Sequence, residues 1–82
     1  MKIAVIGMGK IGLPLAVQYA RKGHEVIGVD INQNTIDMIN LGKEPFPEEV
    51  NLAEYLNEVV LAGKLKVTAS YETAVTTADV VV

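Results

Sequence analysis

Residues 2–12 read KIAVIGMGKIG, an apolar run that leads into three glycines spaced as GxGxxG: Gly7, Gly9 and Gly12. A second apolar run over residues 25–30, EVIGVD, closes on an acid, Asp30, eighteen residues after Gly12. Glycines between a strand and a helix let the backbone approach a pyrophosphate, and an acid at the end of the next strand accepts hydrogen bonds from a ribose. This stretch therefore predicts a dinucleotide-binding strand-helix-strand unit.

Each glycine of the loop has its own expected role. Gly7 makes the tight turn out of the first strand, Gly9 lets phosphates reach the backbone, and Gly12 lets the first helix lie close to the sheet. The N-terminus of that helix carries a partial positive charge that stabilises an anion. We therefore expect the cofactor-binding residues to be Gly7, Met8, Gly9, Lys10, Ile11, Gly12 and Asp30.

Each of these assignments has a plainer alternative. Glycine triplets also occur in ordinary turns, and GxGxxG alone is weak evidence until strands, helix and acid surround it. Asp30 favours NAD over NADP because a carboxylate repels a 2′-phosphate; it can equally start the loop and cap the next helix with Asn32. Lys10 either pairs with a phosphate or is solvated. His24, the only histidine, is expected at the surface and not in catalysis.

The remaining chain continues an alternation of helices and strands. We expect a first helix from Ile11 to Gly23 and a second from an Asn32 cap to about Leu41, ended by Gly42. Pro45-Phe46-Pro47 predicts a loop. The two expected apolar helix stripes are Ile11, Leu15, Ala16 and Tyr19 in the first helix, and Leu52, Leu56, Val59 and Val60 in a third helix that starts near Glu48 and Glu49 and ends at Gly63.

Strands at residues 65–69 and 79–82, with a short helix at residues 71–77 between them, complete the prediction. The expected fold class is α/β, a partial Rossmann fold with a doubly wound parallel sheet of order 3-2-1-4. Residues 1–82 would form the first half of a dinucleotide-binding domain.

Composition narrows the class of protein. Half of the 82 residues are apolar and only four are aromatic, so the core must consist of Ile, Val, Leu and Ala. The net charge is −3 and the cations are scattered, which argues against a nucleic-acid partner. There is no cysteine for disulfides or thiolate metal sites, and no apolar run approaches the length of a membrane span. A soluble cytoplasmic protein is the expectation.

Three stretches of the chain resemble the N-terminal segment of the nucleotide-sugar 6-dehydrogenases. They are residues 7–32, GMGKIGLPLAVQYARKGHEVIGVDIN, residues 40–45, NLGKEP, and residues 70–82, SYETAVTTADVVV. The GLPLA run is the most specific part. The resemblance implies NAD as cofactor and a parent oxidoreductase that converts a C6 hydroxyl to a carboxylate. The family's catalytic cysteine lies beyond position 82, so no catalytic residue is assigned here.

The chain departs from the family pattern in three places. Lys10 replaces the usual aromatic residue of the glycine loop, and Thr35 replaces a basic residue near the adenosine end, which predicts weaker NAD binding. The family's Glu-Pro-Gly-Leu turn is replaced by residues 48–52, EEVNL.

Val80, Val81 and Val82 would form an apolar edge strand without a charge or proline to protect it. We therefore expect a homodimer through this edge. We also expect Val82 to be a boundary set within a longer chain.

Three interpretations of the whole sequence follow: an NAD-binding portion of a nucleotide-sugar dehydrogenase, a self-associating half-domain with little cofactor binding, and a nucleotide-sensing regulatory domain of a transporter. Leu13-Pro14-Leu15 argues against the third, and nothing in the sequence separates the first two.

Overall fold

The computed structural model describes residues 1–45 and 51–82. The elements in these residues are β1 (Lys2–Ile6), α1 (Gly12–Arg21), β2 (Glu25–Val29), α2 (Gln33–Asn40), α3 (Leu52–Leu61), β3 (Leu65–Thr68), α4 (Tyr71–Thr77) and β4 (Val80–Val81). All strand pairs are parallel, in the order β3-β2-β1-β4. The predicted α/β fold and its strand order are confirmed.

The sheet separates two apolar clusters of different size. The large cluster combines α1, α2 and α3 with alternate residues of the first three strands, because side chains alternate between the faces of a sheet. The small cluster joins Ala74 of α4 to Ala4 and Val29 on the opposite face. As expected, the buried apolar residues are Ile, Val, Leu and Ala, with Met8 as the addition.

Local signals place most helix ends where the sequence predicted them. The Asn32 side chain accepts a hydrogen bond from the Thr35 N–H at 3.1 Å and caps α2. Gly23, Gly42 and Gly63 follow α1, α2 and α3 with positive φ angles of 98°, 77° and 73°. The predicted third helix is described from Leu52 onwards, and its expected start at Glu48 and Glu49 lies outside the described residues, as do Phe46 and Pro47 of the expected loop.

The helix prediction misplaced the buried face of the first helix. Ile11, expected to begin its apolar stripe, precedes α1 and is 85% exposed, and Leu15 and Tyr19 of the same stripe are half-buried. The buried face of α1 is instead formed by Leu13, Ala16, Val17 and Ala20. The glycine turn fixes where the helix starts and therefore which of its residues face the sheet.

A side chain occupies one pairing position on the outer edge of β3. The Asn40 amide at the end of α2 donates to the Val67 carbonyl oxygen at 2.9 Å and accepts from the Val67 N–H at 2.9 Å. These are the two bonds that a neighbouring strand would make to this residue. Asn40 therefore occupies a pairing position on β3 that is otherwise open to another strand.

Candidate cofactor site

The glycine loop turns sharply from β1 into α1 at the carboxyl end of the sheet. Gly7 has a φ angle of 88°, a conformation that favours glycine, and its N–H donates to the Val29 carbonyl oxygen at 2.7 Å. A Cβ on Gly12 would overlap the carbonyl oxygen of Gly7. These two glycines are therefore required by the fold itself, whether or not a ligand binds.

Gly9 differs from its two neighbours in the GxGxxG pattern. Its φ angle is not positive, and a Cβ built on it would have no atom within 4 Å. The fold therefore does not need glycine at this position. Open space above a backbone is what close approach of a phosphate requires, and a side chain on Gly9 would fill it.

The start of α1 presents backbone donors without competing side chains. Its cap residue, Ile11, makes no side-chain hydrogen bond to the helix, and the first turn contains no acidic residue. Pro14 lies in this turn, where its missing N–H has no helical partner to lose. The positive end of the helix is thus available to an anion.

Asp30 is half-buried directly after β2 and holds two segments together. One carboxylate oxygen accepts from the Met8 N–H at 2.9 Å, and the other accepts from the Asn32 N–H at 2.9 Å. A carboxylate has about four lone-pair sites, so both oxygens can still accept a hydroxyl. The expected contribution of Asp30 to the start of α2 is present, and the bond to the glycine loop is an addition that sequence did not predict.

Met8 was expected to bind the cofactor as part of the glycine loop, and its side chain is fully buried beneath that loop. It lies against Gly28 in β2, where a Cβ would come within 2.5 Å of the Met8 sulfur. The backbone N–H of Met8 faces Asp30, as described above. Residue 8 therefore supports the loop from below, and only its backbone remains near the site.

Two clefts meet at the loop. The first, about 500 Å³, is lined by Gly9, Lys10, Ile11 and Gly12 with Val5, Leu15 and Val82. The second, about 290 Å³, is lined by Val29, Asp30, Ile31, Ala69 and Tyr71. Ile6 and Gly7 line both. The structure thus brings all the predicted site residues except the Met8 side chain to one continuous surface.

Ile31 and Tyr71 line this surface and were not among the predicted site residues. Ile31 carried a signal, because it is an apolar residue between a strand acid and a helix cap. Tyr71 carried none, since the predicted strand order brings the start of α4 near the end of β2 but does not show which side chain reaches the cleft. His24, expected at the surface, is half-buried, with its ring 6.5 Å from that of Tyr19 in an edge-on arrangement.

Residues 1–45 and 51–82 contain no group of three or more His, Cys, Asp or Glu side chains that could hold a metal ion. In the same residues, no helix combines the length and apolar character needed to cross a bilayer. The expected cytoplasmic location and the expected lack of a nucleic-acid partner stay predictions.

A parallel sheet of order 3-2-1-4, with a glycine turn from β1 into α1 and an acid after β2, defines a Rossmann-type NAD-binding domain. The family described as "UDP-glucose/GDP-mannose dehydrogenase family, NAD binding domain" matches residues 1–82. The chain belongs to this UDP-glucose/GDP-mannose dehydrogenase family.

Individual relatives agree with this membership. A GDP-mannose 6-dehydrogenase of Pseudomonas syringae pv. syringae is 39% identical over 79 residues, which cover 96% of this chain and 18% of that protein. A UDP-N-acetyl-D-mannosamine dehydrogenase of Campylobacter jejuni is 48% identical over 73 residues, covering 89% and 18%. The crystal structure of a ternary complex of GDP-mannose dehydrogenase from Pseudomonas aeruginosa matches with a TM-score of 0.95 and 38% identity, covering 99% and 18%. The chain thus spans less than a fifth of the length of these relatives.

Proposed function

We propose that this chain is the NAD-binding portion of a UDP-glucose 6-dehydrogenase-like oxidoreductase, and that residues 1–82 are the first half of its dinucleotide-binding domain. The pyrophosphate would lie on the loop from Gly7 to Gly12 and the adenosine ribose on Asp30. The observation that carries the proposal is the open backbone at Gly9, next to an uncapped helix start and within a loop that Asp30 binds directly.

In this proposal the residues described here bind and orient the cofactor. Loop N–H groups and the positive end of α1 offset the charge of the phosphates, and the Asp30 carboxylate accepts hydrogen bonds from ribose hydroxyls. When bound, NAD would accept the hydride in the oxidation. The family's thiol-linked step needs a cysteine, and the chain contains none, so we propose that the 82 residues are inactive alone.

Gly9→Ala is the substitution that tests this proposal. Since the added Cβ meets no atom within 4 Å, the free energy of unfolding should stay within about 0.5 kcal/mol of the parent value. NAD binding, measured by calorimetric titration, should fall below detection because the methyl group occupies the phosphate position. Unchanged affinity in a folded Gly9→Ala variant, or no binding by the parent chain at millimolar NAD, would refute the proposal.

Asp30→Ala does not test the ribose contact alone. It removes the acceptor of both the Met8 and the Asn32 N–H groups, so it alters the loop as well as any ribose contact. An Asp30→Asn variant keeps one acceptor oxygen. Either variant therefore needs its unfolding free energy measured beside its affinity for NAD.

A second candidate function is self-association through β4. Val80, Val81 and Val82 are 40%, 46% and 46% exposed, and β4 is the last strand on its side of the sheet. An apolar edge strand without charge pairs readily with another strand. In this alternative the chain is a structural half-domain that forms a homodimer and binds little or no cofactor.

Sedimentation velocity at micromolar concentration tests the alternative. We expect a dimer for the parent chain and a monomer for Val81→Lys, because a lysine on an edge strand opposes pairing. Leu61→Lys is the matched control, since Leu61 is 80% exposed on α3. A monomeric parent chain, or equal loss of dimer in both variants, would contradict pairing through β4.

A further inference from the structure

The glycine loop is attached to three consecutive residues at the end of β2 and just beyond it. The Gly7 N–H donates to the Val29 carbonyl oxygen at 2.7 Å, and the Met8 N–H donates to the Asp30 carboxylate at 2.9 Å. The Met8 side chain lies over Gly28, where a Cβ would come within 2.5 Å of the sulfur. Met8 is therefore held to β2 through both its backbone and its side chain.

The open part of the loop begins directly after this attachment. Gly9 is exposed, with no atom within 4 Å of its Cβ position, and its carbonyl oxygen accepts from the Leu13 N–H in the first turn of α1. Met8 itself is fully buried and belongs to the large apolar cluster. The position of the exposed loop N–H groups thus depends on where the core holds Met8.

We propose that Met8 is a positioning residue: its side chain, seated on Gly28, sets the height of the loop N–H groups above the sheet and thereby the affinity for the cofactor, which it does not touch. Hydrogen bonds to an anion weaken steeply when the donor direction is wrong. A loop fixed before binding also avoids the cost of ordering it when the ligand arrives. This inference rests on the proposed function and deepens it.

The plainer role for Met8 is to fill the core. In that case a change of its side chain would alter the stability of the chain and leave the affinity of the folded protein unchanged. Leu56 offers a matched comparison, because it is also fully buried in the large cluster but lies on α3 and lines neither cleft at the glycine loop.

A measurement on the parent chain needs no variant that alters the core. The chain contains three methionines, Met1, Met8 and Met38, so labelling their methyl groups with ¹³C gives three NMR signals. The Met8 signal should shift as NAD is added, with the dissociation constant found by calorimetry, although this side chain is buried. Met1 precedes β1 at the end away from the loop, and its signal should stay in place. An unchanged Met8 signal at saturating NAD would overturn the inference.

Two equal truncations separate positioning from core filling. Met8→Val and Leu56→Val each remove volume from the same cluster. Calorimetric titration with NAD, corrected for the folded fraction from urea unfolding, should show a loss of about fivefold or more for Met8→Val. Leu56→Val should stay within about twofold of the parent. Met8→Leu nearly conserves volume and should stay within about threefold. Equal affinities of Met8→Val and Leu56→Val would contradict a positioning role.

Gly28→Ala tests the same contact from the other side. Its Cβ would displace the Met8 side chain and with it the loop, so NAD affinity should fall by about fivefold or more. Valine at position 8 lacks the sulfur and the terminal methyl carbon, the two atoms nearest to that Cβ. In the Met8→Val background, Gly28→Ala should therefore weaken NAD binding less than it does in the parent. Losses of affinity that simply multiply would mean that the two residues do not set the loop together.

The outcomes distinguish the inference from the function on which it rests. If the parent binds NAD and Met8→Val binds it equally well, Met8 has no positioning role and the proposed function stands. If the parent does not bind NAD at millimolar concentration, both proposals fail. Where Gly28→Ala does not fold, the Met8 methyl signal and the comparison of Met8→Val with Leu56→Val decide the question.

Discussion

The Met8 side chain fills the space above Gly28, where any residue type other than glycine at position 28 would place its Cβ. That Cβ would lie 2.5 Å from the sulfur of Met8 and 2.7 Å from its terminal methyl carbon. Met8 is fully buried, so a shift of its side chain would have to displace neighbouring core residues. The glycine loop therefore depends on a glycine in the neighbouring strand that no ligand would touch.

Gly28→Ala should destabilise the chain through this contact. Overpacking of a buried site typically costs about 1–3 kcal/mol, and urea unfolding measures the loss. Met8→Ala should cost about 2–5 kcal/mol because it leaves a cavity. The double variant should be more stable than the sum of the single effects predicts, since removing the Met8 side chain makes room for the new methyl group. Additive effects would show that the two residues are not coupled.

Gly12→Ala should be more damaging than a substitution at a glycine that only adopts a positive φ angle. The new Cβ would overlap a backbone atom, the Gly7 carbonyl oxygen, so the start of α1 must move; we expect a loss of about 3 kcal/mol or more. Gly63→Ala is the matched control, because its φ angle is 73° but its Cβ position is open. That variant should lose only about 1–2 kcal/mol from backbone strain, measured by urea unfolding. Equal losses would mean that the close approach at Gly12 is unimportant.

Asn40→Ala should expose the outer edge of β3. Both backbone groups of Val67 would lose their side-chain partner, and because Asn40 is exposed, water can replace it, so we expect a loss of about 1–2 kcal/mol, the net value of two hydrogen bonds. Asn34→Ala on the same helix is the control, and its unfolding free energy should change by less than about 0.5 kcal/mol. Light scattering should also show more aggregation of Asn40→Ala at equal concentration. Equal stability of the two variants would contradict the role assigned to Asn40.

NADP should bind at least about tenfold more weakly than NAD, because its 2′-phosphate would lie near the Asp30 carboxylate. The difference should shrink as salt is added, since ions screen the repulsion. Titrations with both cofactors at low and high ionic strength check this. Equal affinities at low salt would indicate that the ribose lies away from Asp30.

The features that sequence predicted are those that depend on near neighbours. The Asn32 cap is set by a contact with Thr35, three residues away, and the ends of the first three helices by glycines with positive φ angles. The strand order followed because right-handed connections leave few alternatives once the elements are known.

The features that sequence did not predict join distant parts of the chain. Asp30 binds the backbone of Met8 across 22 positions, and Asn40 binds Val67 across 27. Neither pairing has a periodic signature, because each depends on how two elements meet in space. The predicted order puts β3 beside β2 and so the start of α4 near the end of β2, but that Tyr71 lines the Asp30 cleft depends on how the two segments meet in space.

The contact between Asn40 and Val67 makes the two edges of the sheet unequal as places where a further strand could pair. β1 forms the centre, β2 and β3 extend it to one side, and the amide of Asn40 then occupies a pairing position on that side. A strand from another molecule therefore meets an open row of backbone groups beside β4 and a partly blocked row beside β3, so pairing is favoured on the β4 side.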